Sequence, residues 1–462
     1  MKIVFCASEV VPFAKTGGLA DVCGSLPPAL ESLGHEVVII TPRYGSGGSN
    51  VASPVVRLGQ DIKVHFIEHR HYFGRDGLYG DINGDYRDNL ERFSYFCHHA
   101  LKVLKDISFK PDILHCHDWH TALIPALLKT KYDKDSFYKK AKSVLTIHNL
   151  AYQGIFPKEQ YSILGVDGNL FNTQGFEFYN QVNVLKGGIN FSDAITTVSP
   201  CYAKEMQTPQ FGCALDGVLR NHSGDIYGIL NGLDYEAWKP QEDPFLVVPF
   251  TSGNLDNKLR NKAFLQEFLG LNIDPRRPLF GFVARLCHQK GVDLIVQAIP
   301  EIIKMGGQIV LTGIGERKYH RMLEECAREH PKQVGIYLKF EERIAHQIYA
   351  GSDFFLMPSV YEPCGLGQMI ALRYGSIPIV YKTGGLSDTI SLYDPIHHTG
   401  NGFPFTEYTK HAFVKAVSEA VKIYSDAKQM EFLVSHGMRH RFTWEKSAKE
   451  YERIYEKCLL LD

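Results

Sequence analysis

Short, almost uninterrupted apolar runs alternate along this chain with longer stretches in which apolar residues recur every three or four positions. In the first half the runs are KIVFCASEV (2–10), HEVVIITPR (35–43), DILHCHD (112–118), KSVLTIHN (142–149) and DAITTVS (193–199). In the second half they are PLFGFVARL (278–286), QIVLTGIG (308–315), VGIYLKF (334–340), DFFLMPS (353–359) and IPIVY (377–381). Runs without a polar alternate position predict strands buried on both faces, hence parallel sheets covered by helices. In KGVDLIVQAIPEII (290–303), Leu294, Ile295, Ala298, Ile299 and Ile302 fall on one helical face, which predicts an amphipathic helix directly after a strand.

The strand series pauses at EAWKPQEDPFLVVPFTSGNLDNK (236–258), a stretch punctuated by proline and glycine. The expected organisation is therefore two doubly wound α/β domains, residues 1–243 and 244–443, and a final helix over 444–462 with Thr443 as its N-cap. A length of 462 residues fits two cores better than one. With 44% hydrophobic and 22% charged residues and a net charge of −1, nothing in the composition calls for nucleic acid or an acidic membrane as partner. No apolar run reaches the length of a membrane helix, the start has no signal or transit character, and ten scattered cysteines fit a reducing compartment. A cytoplasmic protein is expected.

Two nearly identical phrases stand far apart: KTGGLADV from Lys15 and KTGGLSDTI from Lys382. Adjacent glycines let the backbone approach a ligand closely, and amides at a helix start suit phosphate or sugar oxygens. A simple strand-to-helix turn uses the same residues. Neither copy is G-x-G-x-x-G, which disfavours a nicotinamide enzyme. In GFVARLCHQKG, Arg285 and Lys290 lie just past a strand, where a fork and a point charge suit a diphosphate; a solvated surface pair has the same spacing. YEPCGLGQM sets Glu362 ahead of Cys364, Gly365 and Gly367, which is either a sugar- and phosphate-binding loop or an ordinary turn with a helix-start carboxylate. HCHDWH (115–120) invites a metal, but its spacing matches no zinc pattern, so Asp118 and His148 read better as polar groups at strand ends.

Together these stretches resemble the ADP-glucose-dependent glycogen and starch synthase family of retaining glucosyltransferases. The resemblance is carried, in order, by KTGGLADV, HDWH, TIHNLAYQG, TVSPCYAKE, GILNGLDYEAW, ARLCHQKG, PSVYEPCGLGQM, KTGGLSDT and FTWEKSAKEY. It implies the GT-B fold, with two Rossmann-like domains facing each other across a deep cleft and the last helix crossing back to the first domain. It implies transfer of glucose from ADP-glucose to the non-reducing end of an α-1,4-glucan such as glycogen, with retention and release of ADP, and without cofactor or metal.

By the same resemblance, Lys15 with Gly17, Gly18 and Asp21 belongs to a donor-binding loop. Arg285 and Lys290 grip the diphosphate, and Glu362 faces the transferred sugar over Cys364, Gly365, Leu366 and Gly367. Thr383, Gly384 and Gly385 bring backbone donors to the distal phosphate. Asp118, His148, Asn149 and Asn231 lie near the glucose, and Phe340 lies against adenine. Gly367 replaces a threonine frequent in bacterial members. The position eight after Glu362, a second glutamate in broader retaining transferases, is Ile370. The rival readings are a catalytically dead glucan-binding scaffold, a pyridoxal-phosphate phosphorylase, and the same transfer from UDP-glucose.

Overall fold

Strands that are apolar on both faces need cover on both sides, and this chain provides it twice. In the computed structural model, which describes residues 1–45, 55–81, 84–339 and 341–460, the chain divides into two compact units. One is Met1–Gly232 with Thr443–Asp462, the other Leu233–Phe442.

Among the described residues, the first unit's main sheet has eight strands: β1 (Lys2–Cys6), β2 (Glu36–Pro42), β3 (Val55–Leu58), β4 (Ile62–Ile67), β5 (Ile113–His117), β6 (Lys142–Ile147), β7 (Ala194–Thr197) and β8 (Ile226–Gly228). Their spatial order is β8-β7-β6-β5-β1-β2-β4-β3, parallel throughout except for the β3–β4 pair. Side chains alternate between faces. Ile3 and Phe5 join Val37, Ile39 and Ile113 in one core, while Val4 and Cys6 join Val38, Ile40, Leu114 and Cys116 in the other. The final helix, Trp444–Leu460, buries Trp444, Ala448, Tyr451, Tyr455 and Cys458 in the first of these cores, beside Leu26 and Leu30 of the helix Gly18–Ser32. Gly232 is fixed by that docking, because a Cβ there would lie 2.5 Å from the backbone nitrogen of Trp444.

The second unit's sheet has, among the described residues, six strands: β9 (Leu279–Val283), β10 (Gln308–Thr312), β11 (Val334–Tyr337), β12 (Phe354–Met357), β13 (Ile377–Tyr381) and β14 (Phe403–Phe405). Their order is β11-β10-β9-β12-β13-β14, all parallel. The helix Val292–Lys304 buries the anticipated stripe, with Val292 added to it. Strands β3, β4, β8 and β14 lie outside the predicted runs; β3, β8 and β14 are short and sit at sheet edges, where one side needs no neighbour.

The division falls at 232/233, ahead of the expected 243/244. Proline and glycine do not decide it; buried side chains do. Trp238 stacks on His346 at 4.2 Å, and Asp243 accepts hydrogen bonds from His346 Nδ1 at 2.7 Å and the Tyr374 hydroxyl at 2.5 Å, all within the second unit. Thr443, expected to end the second domain, counts with the first.

In each sheet the chain first builds outward from one strand and then returns to build on that strand's other side. The reversal lies between β1 and β5 in the first unit and between β9 and β12 in the second. Loops leaving these strands at their carboxyl ends diverge, opening the crevice in which such sheets bind ligands.

The second unit also rests on a buried ion pair. Lys262 Nζ bonds Asp353 Oδ2 at 2.7 Å and also reaches two carbonyls and the Tyr424 hydroxyl, and Asp353 accepts the amide of Leu279 at 2.8 Å. Asp353→Asn leaves the lysine charge buried without its counterion. It is expected to destabilise the unit by about 3–5 kcal/mol, read as a lowered urea midpoint.

Candidate active site

The second unit gathers its polar groups at the β9/β12 reversal. Arg285 and Lys290 follow β9, and Glu362 follows β12. The two loops are tied together: Val360 N donates to the Gln289 carbonyl at 2.9 Å, and Gly291, at φ +70°, packs so closely that a Cβ would meet the Pro358 oxygen at 2.0 Å. This brings Lys290 Nζ to 2.6 Å from Glu362 Oε2, which also accepts from the Ser359 hydroxyl at 3.0 Å. Both charged side chains are largely buried, at 18% and 8% exposure. The pair is preorganised at the loop ends, while Arg285, in the same loop as Lys290, is exposed.

Beneath Glu362, the second KTGGL phrase acts as a backbone wedge. Gly385 N donates to the Glu362 carbonyl at 3.0 Å and to that of Pro363 at 3.2 Å. A Cβ on Gly384 would fall 2.0 Å from the Glu362 oxygen, and one on Gly385 2.0 Å from the Cys364 oxygen. The expectation that this stretch aims its amides at a distal phosphate is thus revised for Gly385, whose N–H is spent on the loop it supports. Thr383 is buried next to it. Cys364 is buried, and Gly365 takes φ +71°. Leu366 and Gly367 lead into the helix Gly367–Arg373, where Ile370 is buried in the core. Gln368, wholly buried, clamps the turn by donating to the Cys364 and Gly365 carbonyls. A Cβ at Gly367 would sit tightly against the Tyr349 hydroxyl, Met357 sulfur and Phe355 ring, each 3.3 Å away.

The first unit gathers its groups at the β1/β5 reversal. Lys15 lies in the loop between β1 and the helix Gly18–Ser32, paired with Asp21 at 2.7 Å and largely exposed. Gly17 and Gly18 are open: an added Cβ on either meets nothing within 4 Å. The loop is anchored by Glu9, a buried carboxylate that sequence reasoning missed. It accepts from Thr16 Oγ1 and the Tyr79 hydroxyl at 2.6 Å each, and from Gly17 N at 3.2 Å. The signal was present as an acid three residues past an apolar strand, in CASEVV.

Asp118 follows β5 in a left-handed conformation, φ +55°, and its Oδ1 accepts the His148 amide at 2.7 Å. Burial pushes its carboxyl up to about 7 and Glu9 adds to this, while the amides of His148 and Asn149 pull it down. Burial lowers His148 to about 3 and takes His117 and His115 well below the usual imidazole range. Asn149 caps its own turn, accepting from Ala151 N at 3.0 Å. Asn231, just past β8, has a buried Oδ1 with no hydrogen-bond partner among the described residues. Phe340 lies outside the described residues. Among those described, no three His, Cys, Asp or Glu side chains converge to hold a metal.

Comparison with known proteins shows the family. A profile described as starch synthase catalytic domain matches residues 2–221, and one for group 1 glycosyl transferases matches 266–431. A glycogen synthase of Geotalea daltonii is 47% identical over 479 residues, covering 99% of each chain. That of Alkaliphilus metalliredigens is 44% identical over 98% of this chain and 99% of its own. The chain belongs to the glycogen and starch synthase family. It is a glucosyltransferase.

Among solved structures, the catalytic domain of starch synthase IV from Arabidopsis thaliana, bound to ADP and acarbose, matches with a TM-score of 0.89 at 37% identity over 99% of both chains. A sucrose-phosphate synthase from Thermosynechococcus elongatus, 17% identical with a TM-score of 0.64 over the whole of both chains, shares the fold alone. Two Rossmann-like units of this kind constitute the GT-B class. No helix among the described residues is long and apolar enough to cross a membrane.

The two glycine pairs of this glucosyltransferase differ in a way stability measurements resolve. Gly17→Ala adds a methyl to open space and is expected to leave the melting temperature unchanged. Gly385→Ala forces the Cys364 loop to move and is expected to cost about 1–3 kcal/mol as an overpacking substitution.

Asp118 gives a second test. Its native carboxyl keeps a proton that the unfolded chain releases above about pH 4. Its contribution is therefore complete below that pH and is lost as pH rises through about 7. Relative to Asp118→Asn, the wild type is expected to lose about 1.4 kcal/mol of stability per pH unit across that window, measured by denaturant titration.

Proposed function

We infer that this enzyme transfers glucose from ADP-glucose to the non-reducing end of an α-1,4-glucan, retaining the anomeric configuration and releasing ADP. The observation that carries the reading is the Lys290–Glu362 pair, 2.6 Å apart at the strand reversal, with Arg285 in the same loop as Lys290. A departing diphosphate gathers negative charge, and fixed cations at that point stabilise it more in the transition state than in the ground state. Lys290 spends one ammonium proton on Glu362 and retains others for phosphate oxygens, while Arg285 adds a planar fork. The ADP and acarbose held by the Arabidopsis relative support a nucleotide donor and a glucan acceptor for this chain as well.

Retention is best served by attack on the face that ADP leaves. A double displacement needs a free nucleophile. The three carboxylates named at the strand ends are engaged: Glu362 by Lys290 and Ser359, Asp118 by the His148 amide, Glu9 by Thr16, Gly17 and Tyr79. In the first unit, the partnerless oxygen of Asn231 and the imidazole of His148 are the polar groups suited to glucose hydroxyls.

The test offers glycogen with ADP-glucose or UDP-glucose in parallel, with EDTA present, and digests the product with an α-1,4-specific amylase. Preferential incorporation from ADP-glucose that amylase releases is expected. A UDP-glucose preference overturns the donor assignment, and a trapped glucosyl-enzyme adduct overturns the same-face route. Lys290→Met is expected to lower kcat by about 10²- to 10³-fold, the effect of deleting one preorganised donor.

A further inference from the structure

Behind His148 stands a second histidine that the reading above leaves unused. His117, the last residue of β5, is fully buried. Its Nδ1 lies 3.0 Å from His148 Nε2. The ring is fixed from several sides. It stacks on Phe5 at 5.3 Å and lies 4.2 Å from the His115 ring, and its backbone amide donates to Thr121 Oγ1 at 2.6 Å. His115 is itself held, between the Tyr455 hydroxyl at 2.8 Å and Thr146 Oγ1 at 2.5 Å. The other nitrogen of His117, Nε2, is buried and has no hydrogen-bond partner among the described residues.

This orphaned atom decides which way the histidine pair is bonded. A neutral imidazole carries one proton, on one nitrogen or the other. If His117 carried it on Nε2, a buried N–H would point at no acceptor, the rarer and costlier kind of unsatisfied group. If it carries the proton on Nδ1, that proton lies in the hydrogen bond, and Nε2 keeps only a bare lone pair. His148 Nε2 must then accept, and the His148 proton must sit on Nδ1. Burial holds both rings neutral, which removes the alternative of two donors facing each other. Nδ1 of His148 has no protein partner among the described residues, and its main chain is fixed from the other side by Asp118.

We propose that His117 is a positioning residue: its Nδ1–H donates to His148 Nε2 and locks His148 into the Nδ1–H form, a neutral donor to a hydroxyl of the transferred glucose. The assignment of glucose as the acceptor rests on the function proposed above; the tautomer does not. Asp118 sets where the His148 backbone lies, and His117 sets which ring nitrogen carries the proton. Without His117, the His148 ring is free to turn over and exchange tautomers, and only one of the four resulting states keeps Nδ1–H where the donor is required.

The experiment uses the full-length protein labelled with 15N-histidine, with His148 assigned by loss of its signals in His148→Gln. The spectrum is expected to show the His148 proton on Nδ1; a proton on Nε2 overturns the proposal. His117→Asn places an amide nitrogen where Nδ1 stands and is expected to keep the tautomer and kcat within about threefold of the wild type. His117→Leu removes the donor and is expected to lower kcat and kcat/KM together by about tenfold, the loss of one transition-state hydrogen bond. An Asn variant as impaired as the Leu variant, with both folded by circular dichroism, overturns the proposal, and so does a fully active Leu variant. The wild-type spectrum decides the tautomer even where a variant fails to fold. Absence of glucose transfer by the wild type removes the function proposed above, and glucose as the acceptor with it. A wrong tautomer alone leaves that function standing.

Discussion

Parallel pairing of strands is the constraint from which the rest of this structure follows. Every strand of a parallel sheet ends on the same side, so polar loops accumulate at one edge while the other edge receives only returning helices. In both units the chain reverses its direction of building at one strand pair, and the loops on either side of that pair diverge. Lys15, Glu9 and Asp118 owe their proximity to the first reversal, Arg285, Lys290 and Glu362 to the second. The apolar strands thus do more than make a core; they decide which distant polar residues meet.

At those strand ends, groups that carry charge in water are held in chosen protonation states by what surrounds them. Asp118 is pushed up by burial, but its carboxylate also anchors the His148 backbone, so it serves as a hinge pin more readily than as a base. The histidines of HCHDWH look like metal ligands in one dimension. In three each has other partners: His115 binds Thr146 and Tyr455, His117 binds His148, and the His120 ring packs against Phe93, Trp119 and Tyr79. Tyr455 belongs to the final helix, so the docking of the chain's last turns reaches the floor of the site through one hydroxyl.

The duplicated KTGGL phrase illustrates how one local sequence takes two roles. Both copies open a helix after a strand. The first leaves its glycines bare and is pinned from behind by Glu9. The second is driven into the backbone of the Glu362 loop, where only glycine fits. Local conformation separates them, Gly17 being extended at φ −158° and Gly384 left-handed at φ +43°, and so does the distance to the nearest carbonyl.

Fold class, the succession of buried strands, the stripe of the helix after Lys290 and the identity of most polar groups at the strand ends were all legible in the sequence. These depend on periodicity and on residue chemistry close along the chain. Three edge strands of the main sheets escaped because an edge needs no continuous apolar run, the inner strand β4 escaped with them, and Glu9 escaped because one acid in a loop resembles any other. The limits of the units shifted because Trp238 and Asp243 are claimed by His346 and Tyr374, more than a hundred residues away. The sequence alone determined which chemistry the chain carries and that it would lie at the ends of parallel strands. Only tertiary structure decided which glycine approaches which carbonyl, which carboxylate is spent on a backbone amide and which imidazole nitrogen is left without a partner. Those outcomes depend on contacts of a few ångströms between segments that the sequence keeps far apart.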